Sequence, residues 1–91
     1  MEFVQSGRLE SLIGEKLALA SAFTRQAQRQ LRNGMRDRAG TSARTARAAL
    51  QEAWDVVAVV PEGRHAMRDR ITASDRELRR LEVELIGDIH C

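Results

Sequence analysis

Cysteine occurs once in this sequence of 91 residues, as Cys91, so no disulfide can form within the chain and no metal site can be built from cysteines. Aromatic residues make up only 3%, which excludes a row of stacking rings such as binds single-stranded nucleic acid. There is no glycine-rich phosphate loop or nucleophile elbow, and the only histidines are His65 and His90. We therefore expect no catalytic residues, no cofactor and no metal.

Long hydrophobic runs are also missing. The apolar run at residues 17–20 ends at Ser21, and the run at residues 56–60 ends at Pro61, whereas a membrane helix needs about 20 apolar residues. Residues 1–5 lack the basic flank and apolar segment of a signal peptide. We therefore expect no membrane partner and a cytoplasmic location.

Alanine, leucine, arginine and glutamate dominate the sequence, and all four favour helices. The valine-rich run at residues 56–60 is the one candidate strand, but no second strand is available to pair with it. The composition and periodicity therefore predict an all-α fold with a single helical domain over residues 1–91.

The first helix is predicted over about residues 7–38, from apolar residues that recur with a period of 3.6. Two segments could end it, because Asn33–Gly34 and Gly40 can each supply a left-handed cap. We predict the end at Gly40, since Met35 continues the apolar stripe and Thr41–Ser42 offers an N-cap for the next helix. The stripe comprises Leu9, Leu12, Ile13, Ala20, Phe23, Ala27, Leu31 and Met35.

The second and third helices are predicted over about residues 42–60 and 64–86, separated by Pro61–Glu62–Gly63. Each carries a heptad seam, with apolar residues spaced alternately three and four apart. The seam of the second helix, continued from Val60, reaches Arg64 and Met67 in the same phase. A three-helix bundle and a kinked two-helix hairpin therefore both fit, and we favour the bundle. The seams comprise Ala43, Ala46, Leu50, Ala53, Val57 and Val60, then Met67, Ile71, Ser74, Leu78, Leu81 and Leu85.

A chain this short buries a modest core, and alanine adds little apolar area to it. We therefore predict a homodimer, in which two chains form one helical bundle through their seams. The residues expected in this core or dimer seam are Leu9, Ile13, Phe23, Leu31, Leu50, Trp54, Val57, Met67, Ile71, Leu78, Leu81 and Leu85.

Arginine accounts for 14 of the 15 basic residues, and Arg25, Arg29, Arg32 and Arg36 are spaced four, three and four apart. On one helix they would form a basic ridge with no acidic residue between them. The simplest interpretation is a solvated helix face near a helix end, where cations are favourable.

Among functional interpretations, this ridge favours an acidic protein partner, and the chain would be a non-enzymatic interaction and oligomerisation module. A small nucleic-acid-binding protein using the same ridge is the alternative. A small all-helical enzyme acting on an anionic metabolite is a third possibility, and it would need buried arginines.

Overall fold

The computed structural model describes residues 2–59 and 64–87, with side chains for residues 8, 10–59 and 66–86. It contains three α-helices: α1 (Glu2–Arg32), α2 (Arg36–Ala58) and α3 (Arg64–Gly87). The described residues contain no strand, so the predicted all-α class and the three-helix bundle are confirmed. Not one of the three helices is both long enough and apolar enough to cross a bilayer.

The predicted end of the first helix at Gly40 is wrong, because α1 ends at Arg32 and Gly34 forms the turn. Gly34 has φ of +76°, a backbone conformation that glycine adopts without steric cost. The N–H of Gly34 donates to the carbonyl of Leu31 (3.1 Å), and the N–H of Met35 donates to the carbonyl of Gln30 (2.8 Å). This pair of hydrogen bonds is the Schellman motif, which closes the last turn of α1.

The predicted cap at Thr41–Ser42 is also wrong, since both residues lie inside α2. The hydroxyl of Thr41 donates to the carbonyl of Asp37 (3.2 Å), four residues earlier in the same helix. Gly40 is likewise helical, so the earlier of the two candidate ends is the one that the chain uses.

Successive helices run antiparallel, as the contacts between them show, and α3 packs against both α1 and α2. Lys16 on α1 pairs with Glu52 on α2 (2.5 Å), and the hydroxyl of Ser42 donates to Gln30 Oε1 (2.7 Å). These two contacts place the α1–α2 turn at one end of the bundle. The Cα atoms extend over 53 Å along its long axis.

Among the described side chains, seven of the 15 buried apolar residues are alanines, and most of these lie on α2. Small side chains let two helix axes come close together, so α1 and α2 form a tight pair. Larger side chains from α3 complete the core. The buried apolar residues are Ile13, Leu17, Ala20, Ala27, Ala39, Ala43, Ala46, Ala49, Leu50, Ala53, Val57, Met67, Ile71, Leu78 and Leu81.

The buried face of α1 differs in part from the predicted stripe. It follows a strict heptad, with Ile13, Leu17, Ala20, Thr24 and Ala27 spaced four, three, four and three apart. Thr24 is only 3% exposed, and its hydroxyl donates to the carbonyl of Ala20 (2.7 Å), so no polar atom is left unbonded. Two residues of the predicted stripe, Leu12 and Met35, are exposed. Met35 lies outside α1, because the helix ends before it.

Candidate functional site

Three of the four predicted ridge residues, Arg25, Arg29 and Arg32, lie on one exposed face of α1. They span residues 25–32, a rise of about 10 Å along the helix axis. Within the described part of the chain, no carboxylate forms an ion pair with any of the three. We call this set the arginine ridge.

Arg36, the fourth predicted ridge residue, is the first residue of α2 and does not belong to α1. Its Nη2 donates to the carbonyl of Leu85 near the end of α3 (2.9 Å). Because α1 ends at Arg32, the four-residue spacing no longer keeps Arg36 on the face of the other three. The structure therefore joins three of the predicted residues and uses Arg36 to tie the α1–α2 turn to α3.

Sequence spacing missed two further exposed arginines, Arg38 and Arg44 on α2. Both follow the turn at Gly34. Because the first helix was predicted to continue to Gly40, their position relative to the ridge could not be deduced from the sequence. A count of charge along the chain would have found them. Residues 25–51 contain seven arginines and a single acidic residue, Asp37, a net charge of +6. The whole chain carries +2, so the remaining residues carry −4. Positive charge is therefore concentrated around the α1–α2 turn.

The charges between helices are paired, in contrast to the ridge. On Arg47 of α2, Nη2 donates to Glu82 Oε1 of α3 (2.6 Å), and Nε donates to Glu82 Oε2 (3.3 Å). Arg47 also bonds Asp75, whose side chain is only 14% exposed and which accepts from Arg79 Nε (2.7 Å). The hydrogen bond to Glu82, and then that to Asp75, raise the pKa of the Arg47 guanidinium against the opposing effect of burial. This group therefore stays charged.

Every residue predicted for the core or dimer seam, where its side chain is described, belongs to the core of this one chain or packs against it. Leu9 lies outside the described side chains. The buried ones are Ile13, Leu50, Val57, Met67, Ile71, Leu78 and Leu81, and the half-buried ones are Phe23, Leu31, Trp54 and Leu85. Large apolar side chains that remain exposed are Leu12, Leu19, Met35, Val59, Val83 and Ile86.

A depression of about 260 Å³ lies between α2 and α3, lined by Trp54, Val57, Ala58 and Arg68. The guanidinium carbon of Arg68 is 6.0 Å from the centroid of the Trp54 ring, a cation–π contact. No group of three or more potential metal ligands occurs among the described residues. His65, His90 and Cys91 lie outside the described side chains.

Comparison with protein-family models, with curated proteins and with solved structures finds no match to this chain.

Proposed function

We propose that this chain is a non-enzymatic helical interaction module whose arginine ridge binds an acidic surface of a protein partner. The observation that carries the proposal is that Arg25, Arg29 and Arg32 share one exposed face of α1 without an ion pair in the described chain. Where charged groups lie between helices, by contrast, opposite charges are matched. A partner that supplies carboxylates would complete the same pattern on α1.

The helix dipole accounts for only part of the ridge. Like charges four residues apart on a helix destabilise it by a few tenths of a kcal/mol per pair, and Arg25 and Arg29 form such a pair. Arg29 and Arg32 lie in the last turn of α1, where the helix dipole favours cations. Arg25 lies further from the helix end, and that effect falls off within one turn. A binding role accounts for Arg25 as well as for the other two.

Several features favour a protein partner over a nucleic acid. The ridge is about 10 Å long and carries no aromatic side chain for stacking on bases. Ala18 and Ala22 are exposed beside it, so a second helix could approach α1 closely there. Guanidinium groups form two parallel hydrogen bonds with a carboxylate, which suits an acidic helix.

Self-association is the second part of the proposed function. Its support is the small, alanine-rich core together with large apolar side chains left exposed, among them Leu12, Leu19 and Val59. The homodimer built through the seams stays a prediction. Sedimentation equilibrium of the purified chain, at concentrations from about 5 to about 500 µM, measures its molecular mass and so tests for a dimer.

The binding proposal is tested by a photo-crosslinking amino acid placed at Ala22, one turn before Arg25, in the cells from which the chain comes. We expect a discrete protein adduct whose crosslinked peptide is acidic. Reversing the ridge charge with R25E, R29E and R32E together should abolish that adduct. The matched control reverses three exposed arginines of α3, with R70E, R76E and R80E, and should leave the adduct unchanged.

A second control places the photo-crosslinker at Ala73, an exposed alanine on α3, where we expect no such adduct. An adduct that disappears on nuclease treatment would replace the proposal by nucleic-acid binding. An adduct that persists in the R25E/R29E/R32E variant, or the absence of any ridge-dependent adduct, would show that the ridge is a solvated helix face.

A further inference from the structure

Five side chains that connect α2 and α3 through ion pairs and a cation–π contact share one heptad position. Arg47 bonds Asp75 and Glu82, and Arg68 lies over Trp54. These five residues lie at multiples of seven positions from one another, and we call them the polar ladder. In an antiparallel coiled coil, a heptad position beside the apolar seam faces the same heptad position of the other helix. The α2–α3 pair follows this rule, so the two helices share one heptad repeat.

The centre of that repeat is Pro61. Arg47 and Asp75 each lie 14 positions from residue 61, and Trp54 and Arg68 each lie seven positions from it. Pro61 itself occupies the heptad position of the polar ladder. The residues that pair between α2 and α3 are therefore placed symmetrically in the sequence about residue 61.

The apolar seam keeps the same phase through the link between the helices. Val57 in α2 and Met67 in α3 are both buried, and Val60 and Arg64 fill the heptad spacing between them. A helix continued from α2 into α3 would thus carry both seams on one face and the polar ladder along one edge of that face. The identical α3 of a second copy would meet the same α1–α2 surface in the same register.

We propose that two copies of this chain exchange α3, so that α3 of each copy docks on the α1–α2 pair of the other. In the exchanged dimer α2 and α3 form one helix of about 52 residues, roughly 78 Å long, and two such helices pair antiparallel about residue 61. Every contact of the polar ladder is kept and becomes a contact between chains. The inference is independent of the arginine ridge, because no ridge residue belongs to α2, to α3 or to the polar ladder.

Pro61 controls the balance between the two forms. Inside a helix, proline removes one backbone hydrogen bond and its ring clashes with the carbonyl four residues earlier, here that of Val57. The continuous helix is therefore opposed by Pro61 and, to a smaller extent, by Gly63, and the folded-back monomer prevails at low concentration. The exchanged dimer grows with protein concentration, because its formation consumes two chains.

The experiment uses two full-length variants with complementary charges. The first is R47D, and the second is D75R/E82R. Alone, each variant sets like charges against each other across α2 and α3. In an exchanged heterodimer, both α2–α3 contacts bring opposite charges together again. We expect an equimolar mixture, unfolded and refolded together, to give a heterodimer by native mass spectrometry and light scattering, in excess over both homodimers.

The control variant combines all three substitutions, R47D/D75R/E82R, in one chain and should fold and associate as the wild type does, since its charges match both in the folded-back monomer and in the exchanged dimer. In parallel, light and 15N-labelled wild-type chains refolded together should give dimers of mixed mass. The P61A variant should raise the dimer association constant more than a hundredfold, because the dimer contains two copies of Pro61 and relief of one alone corresponds to about 3 kcal/mol. A mixture without excess heterodimer, or a P61A variant with an unchanged dimer constant, would overturn the exchange of α3.

Discussion

Arg47 of α2 donates hydrogen bonds to Glu82 of α3 from two guanidinium nitrogens, at 2.6 and 3.3 Å, and to Asp75 from the third. The two carboxylates lie on the same edge of α3, seven residues or about two helical turns apart. One side chain therefore fixes both the register and the orientation of α3 on α2. Asp75 is the most buried member of this group, and Arg79 completes its hydrogen bonding.

Loss of Arg47 should therefore weaken the whole bundle. We expect R47A to lower the free energy of unfolding by about 1–3 kcal/mol, because Asp75 loses a partner in a largely buried site. Urea denaturation followed by circular dichroism at the helical band measures this. The control is R44A, a neighbouring exposed arginine on the same helix, for which a change within about 0.5 kcal/mol is expected. Equal losses in the two variants would contradict the role of Arg47.

The packing of the core predicts a contrast between two leucines. Leu50 is fully buried, whereas Leu19 is 46% exposed on α1. We expect L50A to lower the free energy of unfolding by about 2–5 kcal/mol, through lost apolar contact and the cavity left behind. L19A should cost less than about 1 kcal/mol. Thermal and urea denaturation of both variants compare them directly, and similar losses would place the core elsewhere.

The glycines should respond to alanine with opposite signs. At Gly34 the φ of +76° strains any residue with a Cβ, so G34A should destabilise the protein by about 1 kcal/mol, and G34N by less. Gly14 lies inside α1, and an added Cβ there would meet no atom within 4 Å. G14A should therefore stabilise by about 0.5–1 kcal/mol, through its higher helix propensity. Melting temperatures of the three variants measure these changes. A shift of the same sign for G34A and G14A would contradict the turn at Gly34.

Thr24 allows a test of its buried hydroxyl. The hydroxyl donates to the carbonyl of Ala20 in its own helix. That carbonyl keeps its helical backbone hydrogen bond when the hydroxyl is removed. We expect T24V to change the free energy of unfolding by less than about 1 kcal/mol in either direction, because a methyl group fills the same space. The smaller T24A should cost more, as it leaves a void in the α1 seam. Calorimetric unfolding of the two variants gives the comparison.

The heptad seams of α2 and α3 could be predicted from sequence, because the apolar spacing of each helix indicates a single face. Ala46, Leu50 and Ile71 lie in the core as their spacing indicates. The face of α1 was harder to define, since two adjacent stripes both contain apolar residues. Leu12 and Phe23 lie on the outer stripe, while Leu17 and Thr24 lie on the buried one. A single polar residue in the buried stripe was enough to hide it.

The end of α1 and the contacts of Arg47 could not be predicted for different physical reasons. Gly34 and Gly40 are both able to end a helix, and the choice depends on how α1 and α2 pack after the turn. The partners of Arg47 lie 28 and 35 residues away, so no local pattern names them. Their common heptad position is visible in the sequence only after α2 and α3 are known to pair.

The alanines between α1 and α2 also affect how the bundle responds to heat. Alanine has no side-chain rotamers to freeze, so the α1–α2 interface forms with little loss of side-chain entropy. The α3 interface must instead immobilise long side chains such as Met67, Arg47 and Glu82, and that entropic cost grows in proportion to temperature. Warming should therefore loosen α3 before it loosens the α1–α2 pair. Backbone amides of α3 would then exchange with solvent deuterium first, while those of α2 stay protected until the whole chain unfolds.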